Sequence, residues 1–182
     1  MSNIAHKRSE YIDAENRYQA YRELVYENTM LEFPGIEVKG IEFINCVTAD
    51  NWKNLPIPSA RAYRGTWEWT KEYPFYRNRP NRFEISLWFK GNLCALCYGQ
   101  TSKRGTKVRM NLIESIPIRP SPLGRRALPI LAFSAATFAD IVGATELWVL
   151  DPDPNLEEVY MRENFGDRQI YHGRRVGQRR VL

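Results

Sequence analysis

At 182 residues, 43% hydrophobic and 13% aromatic, the chain carries enough apolar surface for one folded domain and too much for a disordered one. Its net charge of +5 is local: residues 168–182 hold five arginines and no acid, and taking these from the 26 basic residues leaves 21, equal to the 21 acidic ones. A nucleic-acid surface spread over the whole body is thereby excluded, and the pI near 9.2 comes from a basic C-terminal tail suited to nucleic acid or an acidic partner.

No apolar run approaches a membrane span, and residues 1–8 are polar and lead into no signal core. A soluble cytoplasmic protein with no membrane partner is expected. Three cysteines argue against a disulfide framework. Cys94 and Cys97 are spaced as a CxxC, but they sit in a strand-like run where an odd separation puts the thiols on opposite faces. No second pair accompanies them, so no metal is expected.

The first element is an amphipathic helix over 10–32, with Tyr11, Ala14, Tyr18, Tyr21, Leu24, Val25 and Leu31 at three- and four-residue spacings. Ser9 is its candidate N-cap, and Pro34-Gly35 ends it. Such an aromatic stripe packs on a core, lines a substrate groove or makes a homodimer contact. One strand is expected over 36–47, bulged at Gly40, then a helix start at 48–52. The segment 61–76 is dense in aromatics (Tyr63, Trp67, Trp69, Tyr73, Phe75 and Tyr76) and predicts a short helix over 67–72. Its rings and the interleaved Arg77, Arg79 and Arg82 suit core packing, a pocket wall or base stacking.

Phe83, Ile85, Leu87 and Phe89 alternate with Glu84, Ser86, Trp88 and Lys90, as in a strand with two distinct faces. A second, more buried strand follows over 93–99. In a third, ending near Ile116, Val108, Met110 and Leu112 alternate with Arg109, Asn111 and Ile113. The turn after it carries three prolines, Gly124 and the cations Arg119, Arg125 and Arg126. A helix is expected over 123–142, with Pro129 near its start and Gly143 as its stop. A helix start offers free N–H groups and partial positive charge, so this turn is a candidate phosphate pocket. A buried strand over 146–150 comes next, parallel to the third strand by a helical crossover. Asn155 is the candidate cap of a helix over 156–163, and Gln169-Ile170-Tyr171 a last strand.

The motifs Arg82-Phe83-Glu84-Ile85-Ser86-Leu87-Trp88, Gly91-Asn92-Leu93-Cys94-Ala95-Leu96, Gly99-Gln100-Thr101-Ser102, Ile113-Glu114-Ser115-Ile116-Pro117 and Pro122-Leu123-Gly124 occur in that order. In this the chain resembles the acetyl-CoA-dependent N-acetyltransferases of the Gcn5-related superfamily, and in particular a poorly characterised bacterial branch. The likeness covers about half the chain, 82–165.

The resemblance implies a single α+β domain with a mixed, mainly antiparallel sheet flanked by helices. It would comprise an N-terminal helical region (1–35), a donor-binding core (82–166) and the basic tail (168–182). It also implies acetyl transfer from acetyl-CoA to an amine by direct attack, without a metal. The superfamily's donor loop, Gln/Arg-x-x-Gly-x-Gly/Ala, matches Arg119 at its first position and Gly124 at its last. Pro122 stands where the first glycine would be and brings no N–H. Ile116, Ile118, Arg119, Leu123, Gly124, Arg125, Arg126 and Asn155 are then expected to hold the donor. The third strand would splay from its parallel neighbour to bond the pantetheine arm. Tyr160 is the expected general acid for the leaving thiolate. Glu114 is the expected base for the amine, with Glu84 the alternative. The competing reading is a catalytically degenerate binding protein on this fold, using its basic tail on nucleic acid or an acidic partner.

Overall fold

The structure, a computed structural model, describes residues 2–56 and 67–182, with side chains from His6 onward. The aromatic segment expected over 61–76 therefore lies partly outside the described residues. Seven strands form one sheet in the order β1-β2-β3-β4-β5-β7-β6: β1 (Glu37–Lys39), β2 (Arg82–Phe89), β3 (Asn92–Thr101), β4 (Lys107–Ser115), β5 (Glu146–Leu150), β6 (Arg168–His172) and β7 (Arg175–Val181). All neighbours are antiparallel except β4 and β5. The crossover between those two is α4 (Ala127–Ile141), as the helical spacing predicts. The expected α+β class with a mixed, mainly antiparallel sheet is the one observed.

Helices cover both faces. On one, α1 (Ser2–Glu32), α4 and α5 (Glu157–Met161) enclose a core of Val25, Ile85, Met110, Leu131, Phe138 and Val149. On the other, α2 (Phe43–Asp50), a 3₁₀ turn (Asn51–Asn54) and α3 (Trp69–Arg77) enclose a smaller core of Trp52, Trp69, Tyr76, Leu96 and Tyr98. This second layer corrects the expectation of a two-faced β2: Arg82, Glu84 and Ser86, the polar half of the alternation, are buried too.

The first helix is longer than its apolar pattern, about 46 Å at 1.5 Å per residue. Ser9 lies inside it and is not its cap; Lys7, Arg8 and Glu10 are good helix formers, and His6 and Glu10 pair one turn apart at 3.2 Å. Its buried stripe differs as well. Leu24 and Leu31 face solvent, while Arg22, Val25 and Thr29 are fully buried. Strand β1 reaches only to Ser86 along β2, which leaves the carbonyls of Arg82 and Glu84 on an open edge. Helix α1 closes that edge with side chains: Arg22 donates to the Arg82 carbonyl at 3.3 Å and Tyr26 to the Glu84 carbonyl at 2.9 Å. Around them Arg82 lies 3.0 Å from Glu84 and 2.8 Å from Glu15, and Arg22 2.6 Å from Glu15.

The strand expected over 36–47 stops at Lys39. Glu42 and Asn45 form a reciprocal capping box that starts α2 at Phe43, so the apolar pair Ile41/Phe43 only mimics strand alternation. The segment 48–52 is the end of that helix and the turn after it. Helix α3 starts at Trp69 because the Asp50 carboxylate, 19 residues earlier, accepts from the Trp69 N–H at 2.7 Å and the Thr70 N–H at 3.1 Å. Helix α4 starts later than expected. Residues 123–126 form tight turns instead, with Gly124 at φ +62° and bonds from the Gly124 N–H to Ser121 and the Arg126 N–H to Leu123. Pro129 falls at the third helical position, where its missing N–H costs no intrahelical bond. Asp153, not Asn155, caps the turn ahead of α5, accepting from the Asn155 N–H at 2.9 Å.

The basic tail is not an arm. It is the hairpin β6–β7, with β7 paired to β5 along its whole length. Arg175 binds Asp151 at 2.7 Å, Arg179 lies 3.6 Å from Glu146, and Arg180 donates to the Glu163 carbonyl at 3.4 Å. Among the described residues, no helix is long and apolar enough to cross a membrane.

Candidate active site

Strand β4 changes character at its middle. From Lys107 to Met110 it pairs with β3 on one side and β5 on the other. Beyond the Met110–Val149 pair the ladder to β5 stops, while pairing with β3 runs on to Ser115. The register against β3 slips at the same place: Gly99 faces Met110 and Tyr98 faces Leu112, so Asn111 is an extra, bulged residue. Gly99 permits this, since a Cβ there would stand 2.1 Å from the Arg109 carbonyl oxygen. The bulge shifts the phase of the strand. Val108 and Met110 face the α4 core, but Leu112 and Ile116 pack on the second core. Glu114, in phase with them, is delivered to the α3 side, where the Trp69 indole N–H donates to its carboxylate at 2.6 Å. The simple alternation expected over 108–113 is corrected accordingly.

The splay opens a cleft of about 1450 Å³. Its walls are the second half of β4 and the chain after β5, and α4 and α5 close its inner side. On the cleft side the N–H and C=O groups of 111–115 have no strand partner. An extended ligand with amide groups can therefore add to this edge as a further strand would. Met110, Ile113, Leu128, Leu131 and Val149 supply an apolar floor.

Of the residues expected to hold a donor, Arg119, Gly124, Arg125 and Asn155 line this cleft, as do Glu114 and Tyr160. Ile116, Ile118, Leu123 and Arg126 do not. Ile116 extends the β3–β4 ladder through its N–H to the Cys94 carbonyl at 2.9 Å. Leu123 is turned into the core, 1% exposed, and pins the turn. Arg126 occupies the N-cap position of α4 and leans on the Leu123 carbonyl at 3.4 Å. The N–H groups of Gly124 and Arg126 are spent inside the turn and Pro122 has none. Those at the first helical positions, Ala127 and Leu128, are left by geometry without an intrahelical acceptor.

Tyr160 sits on α5 against Phe165 and is 6% exposed. Burial, then the proximity of Cys97 and Asp153, pushes its phenol well above the usual range, so it keeps its proton throughout neutral pH. Glu84, the alternative base, lies outside the cleft, held by Arg82 and with Arg22 and Arg77 within 4 Å. Cys94 and Cys97 belong to one core cluster rather than to opposite faces, because β2 slips register beside Cys94. All three thiols are buried and free, and burial raises each, Cys46 to about 12. His6 is in a helix and His172 in a strand, so neither sits in a loose end.

Sequence reading missed Trp67, Asn111 and Arg162, which also line the cleft. The signal for the bulge was present: a glycine inside a strand pattern marks a bulge or a close backbone approach.

No family model matches the chain, and no curated protein sequence matches it. Solved structures do. An acetyltransferase from Thermus thermophilus superposes with a TM-score of 0.57 at 14% identity, over 81% of this chain and 97% of that one. Ard1 from Thermoplasma volcanium gives 0.54 at 10% identity, over 81% and 98%. The PaiA N-acetyltransferase from Thermoplasma acidophilum, solved in complex with coenzyme A, gives 0.50 at 10% identity, over 81% and 99%. The chain has the Gcn5-related N-acetyltransferase fold.

Proposed function

We propose that this chain transfers an acetyl group from acetyl-CoA to a primary amine by direct attack. The observation that carries the reading is the splay of β4 from β5 beyond Met110 and Val149, with an unpaired strand edge, Glu114 and Tyr160 all on one cleft. A neighbour of this fold was solved with coenzyme A, which supports the same ligand here.

The free edge of 111–115 suits the two amides of a pantetheine arm. Arg119, Arg125 and the first N–H groups of α4 suit its pyrophosphate, with Gly124 allowing close approach and Asn155 on the opposite wall. Leu123 and Arg126 hold that turn in shape, and Ile116 and Ile118 carry the strand into it. The bound donor supplies the thioester. Glu114 takes a proton from the amine, directly or through water. Tyr160 gives its proton to the departing sulfur, and both groups then re-equilibrate with solvent. Positioning of amine against thioester supplies most of the remaining acceleration. Three buried free cysteines support a cytoplasmic setting.

Isothermal titration with acetyl-CoA tests the donor half, with binding expected in the micromolar range; no binding at millimolar donor would sink it. For the acceptor half, thiol release is followed with spermidine, an N-terminal alanyl peptide and a lysyl peptide.

A further inference from the structure

Glu114 is not held by its own strand. Its carboxylate receives the Trp69 indole N–H at 2.6 Å, across 45 residues of sequence. Trp69 in turn is fully buried, edge-on to Trp67 at 6.3 Å and tilted over Tyr98 at 5.6 Å, so its ring is fixed on both sides. Its backbone is fixed as well. The Asp50 carboxylate accepts from the Trp69 N–H at 2.7 Å, the Thr70 N–H at 3.1 Å and the Thr70 hydroxyl at 2.7 Å. Asp50 itself closes α2, which packs on α3. A chain of short, charge-assisted hydrogen bonds thus runs from the end of α2, through the start of α3, to the cleft.

We propose that Trp69 and Asp50 are positioning residues for Glu114: Asp50 sets the first turn of α3, and Trp69 clamps one carboxylate oxygen so that the other is aimed at the incoming amine. The inference rests on the reading of Glu114 as the group that meets the amine. No other function explains the arrangement as economically. A carboxylate merely stabilising α3 would not need an indole from the helix it stabilises, and a packing tryptophan would not need its N–H directed at the cleft.

Two measurements test this. The first uses the indole N–H resonance of Trp69 in a nitrogen-15 spectrum of the whole protein, assigned by its loss in Trp69→Phe. It is expected far downfield and protected from solvent exchange, and to move upfield in both Glu114→Gln and Asp50→Ala. A resonance indifferent to Glu114→Gln overturns the clamp. One that responds to Glu114→Gln but not to Asp50→Ala overturns the role of Asp50. The second is a double-mutant cycle on the best amine of the panel. Trp69→Phe is expected to lower kcat about tenfold with donor affinity unchanged, and to have no further effect in a Glu114→Gln background. Equal losses in both backgrounds overturn the positioning role. Asp50→Ala, which leaves every aromatic ring in place, is expected to lower kcat in the same direction and covers the case in which Trp69→Phe fails to fold. If no amine of the panel is acetylated, the proposed function fails, and the resonance measurement still decides whether the clamp exists.

Discussion

The two halves of β4 have similar composition and opposite roles. Lys107 to Met110 is an interior strand, bonded on both edges, with Val108 and Met110 wholly buried. Asn111 to Ser115 is bonded on one edge only and carries Glu114 into a cleft. What separates them is a single extra residue opposite Gly99. The bulge turns the strand, so the ladder to β5 cannot continue, and it re-phases the side chains, so an acid reaches the cleft wall and not the core. One backbone irregularity thus makes both the ligand groove and its reactive side chain.

The sharpest way to break this contrast is to remove the bulge. In Gly99→Ala the new Cβ would meet the Arg109 carbonyl at 2.1 Å, a backbone atom that cannot rotate away. A loss of about 3 kcal/mol or more is expected in urea unfolding, together with loss of acetyl-CoA binding in the folded fraction. A variant with normal stability and normal donor affinity would separate the bulge from the cleft.

Next in size is Tyr160→Phe. The phenol lies on the wall facing the splayed half of β4, and its packing against Phe165 is kept by the ring. A fall in kcat of about 100-fold is expected, with acetyl-CoA affinity within a factor of about two by calorimetry. Equal rates would exclude it as the acid and leave the splay as a binding groove alone.

The contrast also shows what could be read from sequence. The meander, the α4 crossover and the parallel placement of β5 follow from alternation, helical spacing and the handedness of crossovers. The departures occur where a distant residue overrides a local pattern. Asp50 starts α3 from 19 residues away, the Glu42–Asn45 box turns a strand-like run into α2, and α1 closes an edge that β1 leaves open. At the cleft, Tyr160, Arg119, Gly124 and Asn155 were legible because they sit in short motifs. Trp69 was legible only as an aromatic, since the bond that gives it a role crosses between layers. The arginine tail was misread because a charge run looks the same whether it is free or, like β7, alternates between an open face and acidic or carbonyl partners.

A smaller effect is expected from Arg125→Ala. This side chain is exposed and lines the mouth of the cleft beside the start of α4. Acetyl-CoA affinity is expected to fall about fivefold, less than for a buried charge-assisted bond because solvent screens the site. The loss should shrink further as salt is raised. An affinity independent of Arg125 at low salt would move the pyrophosphate elsewhere on the splayed side.

The smallest effect concerns the wall opposite the free edge. Asp151 follows β5 at φ +48°, and its carboxylate bridges Arg175 at 2.7 Å and the Val176 N–H at 3.3 Å. Both ion-pair partners are about half exposed, so the pair is worth under about 1 kcal/mol. Its position matters more than its energy, because it ties the chain leaving β5 to β7 and so holds that wall away from β4. Arg175→Ala is therefore expected to lower stability by no more than about 1 kcal/mol while weakening acetyl-CoA about twofold. A larger loss of donor affinity than of stability would mean that the splay is kept open from the β5 side as well as by the bulge in β4.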